Sequence, residues 1–244
     1  APIVSLPSGK RLQSFVVSLP SQPERLSAFM KAWKSVFTDM HPGVINGMKL
    51  KIRGRGVLVS YLDALNKLLA DYKENKQNAP DFVMFFEDDA RPFGGVSWPQ
   101  DLVVLLQQLP TDTSVVLLGG HHFQKLEEPD KSNQPALTKI EKAFGAYAWI
   151  ARVEALPWIR DSWQEHLNLK IENHIDEKGY NGPTKYALDK QWWKVWKDHP
   201  AYVATPLFVD HPNGWSNTWG TKREDSWSGH RDWWTQEPME SNKR

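Results

Sequence analysis

The chain has no cysteine, which excludes disulfides and thiolate metal sites outright. It also has no Asn-x-Ser/Thr acceptor for N-glycosylation, and both absences lean towards a reducing, non-secretory compartment, so a cytoplasmic location is expected. No window approaches the roughly 18 uninterrupted apolar residues of a membrane span. The opening stretch, residues 1–14, lacks the order of a signal peptide. An excess of charge of one sign is missing too. Thirty Lys and Arg face 29 Asp and Glu, a formal charge of +1, so no whole-molecule field exists to draw in nucleic acid or an anionic membrane. Any phosphate must be held locally. There is no P-loop ending in Gly-Lys-Ser/Thr, no Gly-x-Gly-x-x-Gly after a strand and no Gly-x-Ser-x-Gly elbow, which removes most support for nucleoside triphosphate hydrolases, dinucleotide dehydrogenases and α/β-hydrolases.

What is present is a globular composition: 244 residues, 40% apolar and 24% charged, enough for one large domain and short for two. The domain is expected over residues 1–220. Residues 221–244 read as a polar tail with Trp227, Trp233 and Trp234 as anchors. A monomer or weak dimer is expected. Tryptophan is abundant, with 13 in all, many of them in the last quarter, including Trp192 and Trp215. Indole faces suit sugars and nucleobases, and they equally suit a core.

Strand and helix signals alternate along the chain. Ser14 to Leu19 is a β-branched and aromatic run stopped by Pro20, followed by Pro23 and then Leu26, Phe29, Met30 and Trp33 at helical spacing. Val44 to Gly47 reads as a short strand and Val57 to Tyr72 as a helix. Phe82 to Phe86 has no polar alternation, as expected of a central strand covered on both faces. A helix is predicted around Trp98 to Leu109, and a strand over Val115 to Leu118 running into Gly119-Gly120-His121-His122. Another strand is predicted from about Gly145 to Ala151 and a helix from Val153 to Trp163. Residues 170–185 read as a polar loop. Asp189 opens a Trp-bearing helix to Lys197, Tyr202 to Val209 is a last strand, and residues 210–214 form a turn. The expectation is an α/β fold with a mostly parallel, Rossmann-like central sheet flanked by helices, where ligands sit beyond the carboxyl ends of the strands.

Glu87-Asp88-Asp89 falls at such an end. Three adjacent acids after an apolar run repel one another and resist ionisation unless a positive group meets them, and a divalent cation is one such group. Alternation in an extended chain puts Glu87 and Asp89 on one side and Asp88 elsewhere. The plainer alternative is that the acids mark a strand end or cap the next helix. His211, just after the last strand, could add an imidazole that suits Mn2+ better than Mg2+, or could be a surface residue of a turn. Gly119 and Gly120 either admit a substrate close to the backbone or simply make a turn. Asp189 is a helix N-cap, a chemical group facing a pocket, or both.

The order of these pieces resembles glycosyltransferase family 25, the group of bacterial lipooligosaccharide galactosyltransferases and collagen galactosyltransferases. The matching segments are Phe15 to Leu19 with Glu24-Arg25-Leu26, Asn46-Gly47, Gly56 to Tyr61, Val83 to Ala90, Leu117-Leu118-Gly119 and Phe144 to Ala151, within residues 14–217. Tyr61 stands where that family has His, Phe144 where it has Gly, and residues 170–185 have no counterpart. The resemblance implies a fold of the GT-A type, a nucleotide-diphosphate sugar donor, most simply a UDP-sugar, and inverting transfer to a glycan or glycoconjugate hydroxyl. It implies Mn2+ or Mg2+ held by Glu87, Asp89 and His211. It places Ser18, Leu19, Arg25, Asn46 and the acidic triplet, Asp88 included, beside the cofactor or donor. Gly119, Gly120, His121, Gly145, Ala146, Tyr147, Trp192 and Trp215 fall on the acceptor side, with Asp189 as catalytic base. Two rivals remain: a sugar nucleotidyltransferase, which would usually carry a Gly-rich basic loop that Ser18 to Arg25 lacks, and a non-catalytic carbohydrate-binding module built on the tryptophans.

Overall fold

The computed structural model describes residues 1–34, 36, 41–50, 55–126, 135–168, 192, 195–211, 215–216 and 221–222. The predicted loop at 170–185, Asp189, the turn at 212–214 and nearly all of the predicted tail lie outside the described residues.

The first elements are β1 (Ile3–Ser5), β2 (Arg11–Ser18), α1 (Pro23–Lys34), β3 (Gly43–Asn46) and α2 (Arg55–Glu74). They are followed by β4 (Phe82–Glu87), β5 (Arg91–Pro92), α3 (Gln100–Gln107), β6 (Val115–Lys125) and β7 (Ala136–Arg152). Then come α4 (Leu156–Asn168), β8 (Ala201–Thr205) and β9 (Val209–Asp210). The main sheet runs β1-β2-β4-β7-β6-β8, with β3 also on β2. β2 is parallel to both β3 and β4, and β6 and β8 are parallel. β7 runs against β4, β6 and β8, so the sheet is mixed, with one reversed strand at its centre.

Helices cover both faces, which is why β4 reads as an unbroken apolar run. Phe85 faces α2 and α4, among Phe15, Tyr61, Leu65, Trp149, Ile159 and Trp163. Met84 and Phe86 face α1 and α3, among Phe29, Trp33, Leu102 and Leu105. α1 forms as its sequence suggests, with Pro23 in its first position, Phe29 and Trp33 buried on one stripe, and Lys31 and Lys34 near its negative end.

Four boundaries differ from expectation. β1 pairs antiparallel with the start of β2, in a stretch without a strong strand signal. β6 does not stop at Gly119-Gly120 but continues to Lys125, and β7 begins at Ala136 rather than near Gly145, so together they make one long hairpin. A Cβ on Gly119 would strike the Tyr147 ring and lie 2.9 Å from the Val209 carbonyl oxygen; the glycine makes room for a cross-strand aromatic. The last predicted strand is broken into β8 and β9 around Pro206, which has no N–H to give a ladder.

Trp192 belongs to the core. It is 1% exposed, stacks on Trp163 with ring centres 5.5 Å apart and meets Trp149 edge-on at 5.2 Å. Its expected place beside an acceptor is corrected accordingly, because both neighbouring indoles occupy its surfaces. Trp192→Ala is therefore expected to cost about 3–5 kcal/mol in denaturant unfolding, as for a buried Trp truncation; a surface binding platform would leave stability nearly unchanged.

Candidate functional site

The carboxyl ends of β2, β3 and β4 lie side by side. Register pairs Ser18 with Asn46 and Val17 with Glu87, and the Gly47 amide donates to the Ser18 carbonyl at 2.7 Å. Ser18, Leu19, Asn46 and Glu87 are thereby gathered at one edge. Asn46 is exposed there and Ser18 buried.

Extended backbone ends at Glu87. The Ala90 amide donates to the Glu87 carbonyl at 3.0 Å and closes a turn, so strand alternation does not reach Asp89. The Asp88 side chain is consequently not turned away from the site, contrary to the alternation argument. It is 5% exposed, accepts from the Ser18 hydroxyl at 2.7 Å and lies 2.5 Å from Arg25 Nη2. The same Arg25 nitrogen donates to Asp89 Oδ2 at 2.7 Å. His211 Nε2 lies 3.0 Å from that oxygen. Asp89 Oδ1 is buried and has no hydrogen-bond partner among the described residues.

Two residues not singled out by the sequence fasten this turn. Arg91 Nη1 donates to the carbonyls of Asp88 and Ala90 at 3.0 and 2.9 Å, and Trp33 Nε1 donates to the Ala90 carbonyl at 3.1 Å. Ser60 does the same elsewhere in the edge. Its hydroxyl accepts from the Met48 amide at 2.8 Å and donates to the Gly56 carbonyl at 2.7 Å, binding the chain after β3 to the start of α2. Only its place in the Gly56 to Tyr61 segment marked it. Tyr61, next in line, is fully buried between Phe85, Trp149 and Trp163.

His211 is brought in by β9, which pairs Asp210 with Arg91 of β5. The Tyr147 ring lies 5.2 Å from the imidazole, and the Tyr147 hydroxyl donates to the Gly120 carbonyl at 3.2 Å. Gly119 and Gly120 thus act through Tyr147: the space above Gly119 holds its ring. Gly145 adopts φ 73°, a left-handed conformation that favours glycine. The backbones of His121, Ala146 and Trp215 are in strands; their side chains lie outside the described residues, as does Asp189.

The electrostatics separate the three acids. Burial pushes Glu87 up to about 7, helped by Asp89 and only partly offset by His211 and Arg25. Burial would also raise Asp89, but His211 and Arg25 bring it down to about 2. Asp88 is raised by burial, against the pull of Ser18 and Arg25. For Arg25, burial opposes the charge, and Asp89, Asp88 and Glu87 together outweigh it, raising its pKa.

Among the described residues no group of three or more His, Asp and Glu side chains is arranged to hold a metal ion. The donor chemistry nevertheless fits one. Asp89 offers a buried oxygen with no partner among the described residues, and carboxylates with one imidazole suit Mn2+.

No protein-family model matches the chain, and no curated protein matches it. Solved structures resembling it in chain trace include the A197 protein from STIV, 16% identical, covering 82% of this chain and 84% of that one at a TM-score of 0.42. Another is a glycosyltransferase involved in glycosylation of the major capsid of PBCV-1, 8% identical, covering 72% and 73% at 0.40. A third is a mannose-1-phosphate geranyltransferase from Thermus thermophilus, 10% identical, covering 94% and 81% at 0.44. At these scores the likeness says nothing about the site.

The raised Glu87 gives a signed pH dependence. Its folded pKa of about 7 exceeds the ordinary 4.5, so the folded chain binds more protons between those values. Its contribution to stability is full below 4.5 and is lost as pH rises through 7. In chelator-containing buffer, Glu87→Gln is expected to melt higher than the native chain at pH 8 and to lose part of the decline between pH 4.5 and 7. A parallel pH profile would show Glu87 already compensated.

Proposed function

We propose that the chain is a metal-dependent glycosyltransferase of the family 25 kind, with a fold of the GT-A type, moving a sugar from a nucleotide-diphosphate donor to a hydroxyl with inversion. One observation carries this reading: a carboxylate cluster at the carboxyl end of a parallel strand, with a buried Asp89 oxygen that has no partner among the described residues, beside His211 and Arg25. Such a site is built to balance charge around a dication and phosphates. A UDP-sugar is the donor proposed and Mn2+ the ion, because an imidazole stands among the carboxylates.

In this scheme Glu87, Asp89 and His211, which are not gathered as a ligand set in the structure, would hold the ion, and when bound it would neutralise the phosphates of the leaving group. Ser18, Leu19 and Asn46, at the ends of β2 and β3, line the nucleotide, and Asn46 is exposed to meet it. Tyr147 and Gly145 border the acceptor. The acceptor oxygen attacks the anomeric carbon as its bond to the diphosphate breaks on the opposite face, through an oxocarbenium-like state. Asp189 takes the hydroxyl proton as general base, a contribution of roughly 10² to 10⁴ in rate. The burial of Trp149, Trp163 and Trp192 in one core weighs against a carbohydrate module that uses them as a platform.

UDP titration followed by tryptophan fluorescence is expected to respond only when Mn2+ is present. Asp89→Ala should abolish that response, whereas Asp189→Asn should retain it. Across a panel of UDP- and GDP-sugars scored for metal-dependent nucleotide release, Asp189→Asn should lose at least about a hundredfold in rate. Full transfer by Asp189→Asn overturns the base assignment, and UDP binding indifferent to metal overturns the reading as a whole.

A further inference from the structure

Three of the six large apolar side chains that stand exposed among the described residues fall in one short stretch: Val44, Met48 and Leu50, at 47%, 38% and 42% exposure. Lys49, between the last two, is exposed as well. The stretch follows the edge of the sheet, where β3 pairs with β2 and with no other strand among the described residues, and then leaves it for α2. Its backbone is held in place. The Met48 amide donates to the Ser60 hydroxyl at 2.8 Å. A Cβ on Gly56 would strike the Met48 carbonyl and lie 3.2 Å from the Leu50 nitrogen, so this backbone packs closely on the start of α2. The polar backbone is thus turned to the protein and apolar side chains to the outside. Apolar residues scattered singly on a surface need no explanation, whereas a group of them marks an interaction site.

The charge around the group selects the partner. Residues 40–62 hold Lys49, Lys51, Arg53 and Arg55 and no Asp or Glu. Against the chain's total of +1, the remaining residues therefore sum to −3, so a nearly neutral protein carries one basic segment. From Met48 to Arg53, apolar and basic residues alternate. A second copy docked on this edge would set like charges against each other. Single-stranded nucleic acid is usually met by exposed aromatic rings, but the one Phe, Tyr or Trp in residues 40–62 is Tyr61, which is fully buried. Aliphatic side chains that enter a headgroup layer, beside amines that meet its phosphates, fit a lipid surface. We infer that the chain from Val44 to Leu50 docks the protein peripherally on a membrane surface containing anionic lipid. The inference does not depend on the function proposed above. Exposed Asn46 lies within the stretch, so docking would hold the carboxyl edge of the sheet beside that surface.

Cosedimentation with vesicles tests this without Mn2+ or UDP, so its outcome is separate from that of the proposed transferase. The chain is expected to bind phosphatidylcholine vesicles that contain phosphatidylserine, to ignore pure phosphatidylcholine, and to bind less as salt rises. Lys49→Glu should weaken binding about tenfold or more, and Met48→Ser combined with Leu50→Ser about tenfold. Leu126→Ser removes an equally exposed side chain elsewhere and should bind like the native chain. Thermal melts should show all variants folded, since the positions are exposed. Failure of the native chain to bind the phosphatidylserine vesicles overturns the inference. Loss in Lys49→Glu with none in the Met48 and Leu50 variant indicates a soluble polyanion instead and overturns the lipid assignment. Equal loss in Leu126→Ser overturns the placement.

Discussion

A strand covered by helices on both faces cannot end in three ionised carboxylates unless positive or hydrogen-bonding groups meet them, because partly desolvated like charges are costly. That requirement organises the carboxyl edge of the sheet. β4 brings the acids to the edge, the first turn of α1 supplies Arg25, β2 supplies Ser18 and β9 supplies His211. The compensation is uneven. Asp89 is held low by His211 and Arg25, whereas Glu87 is left high by burial. Unequal shifts of this kind mark a candidate functional site.

The packing behind the edge follows from the same arrangement. α1 must lie against the turn for Arg25 to reach it, and Phe29 and Trp33 hold it there by packing on Phe86, with ring centres 5.5 and 4.5 Å away. Trp33 also donates to the Ala90 carbonyl, so one side chain serves both the core and the geometry of the acidic turn. On the opposite face, Phe85 stacks on Trp149 at 4.3 Å. Trp149 in turn touches Tyr61, Trp163 and Trp192, which draws α2, α4 and the Trp192 side chain into a single aromatic core.

β4, α1 and α2 were readable in the sequence because their patterns are strong and local: an unbroken apolar run, a proline-led amphipathic stripe, a long helical period. The β6–β7 hairpin was not. Gly119-Gly120 carries a stop signal, and only the distant Tyr147, whose ring fills the space over Gly119, explains why glycine continues the strand. Asp88 was misjudged for a related reason, since alternation is a property of extended chain and the Ala90-to-Glu87 hydrogen bond ends it one residue early. The tryptophans could be counted but not placed. Whether Trp192 meets a ligand or a core depends on partners contributed by β7 and α4, and no spacing along the chain reveals that. Within the site, the acidic triplet could be read from its position at a strand end and Ser18, Leu19 and Asn46 only through the family resemblance, whereas Arg91 and Trp33 act through backbone carbonyls and leave no motif.

His211 shows how a residue far along the chain can be aimed by very little structure. Arg91 is two residues beyond Asp89, and Asp210 immediately precedes His211, so the short ladder that pairs Arg91 with Asp210 sets the imidazole beside the carboxylate. Two further hydrogen bonds extend the clamp, from the Phe93 amide to the Phe208 carbonyl and from the Phe208 amide to the Leu118 carbonyl, each 2.9 Å. The second ties it to β6, one residue before the glycine that admits Tyr147, whose ring then packs against His211. The acidic turn, the reversed strand and the imidazole are therefore coupled through a few backbone contacts. A substitution that shifts Tyr147 would move His211 relative to Asp89 without touching either, which makes Gly119 part of the site although it presents no side chain to it.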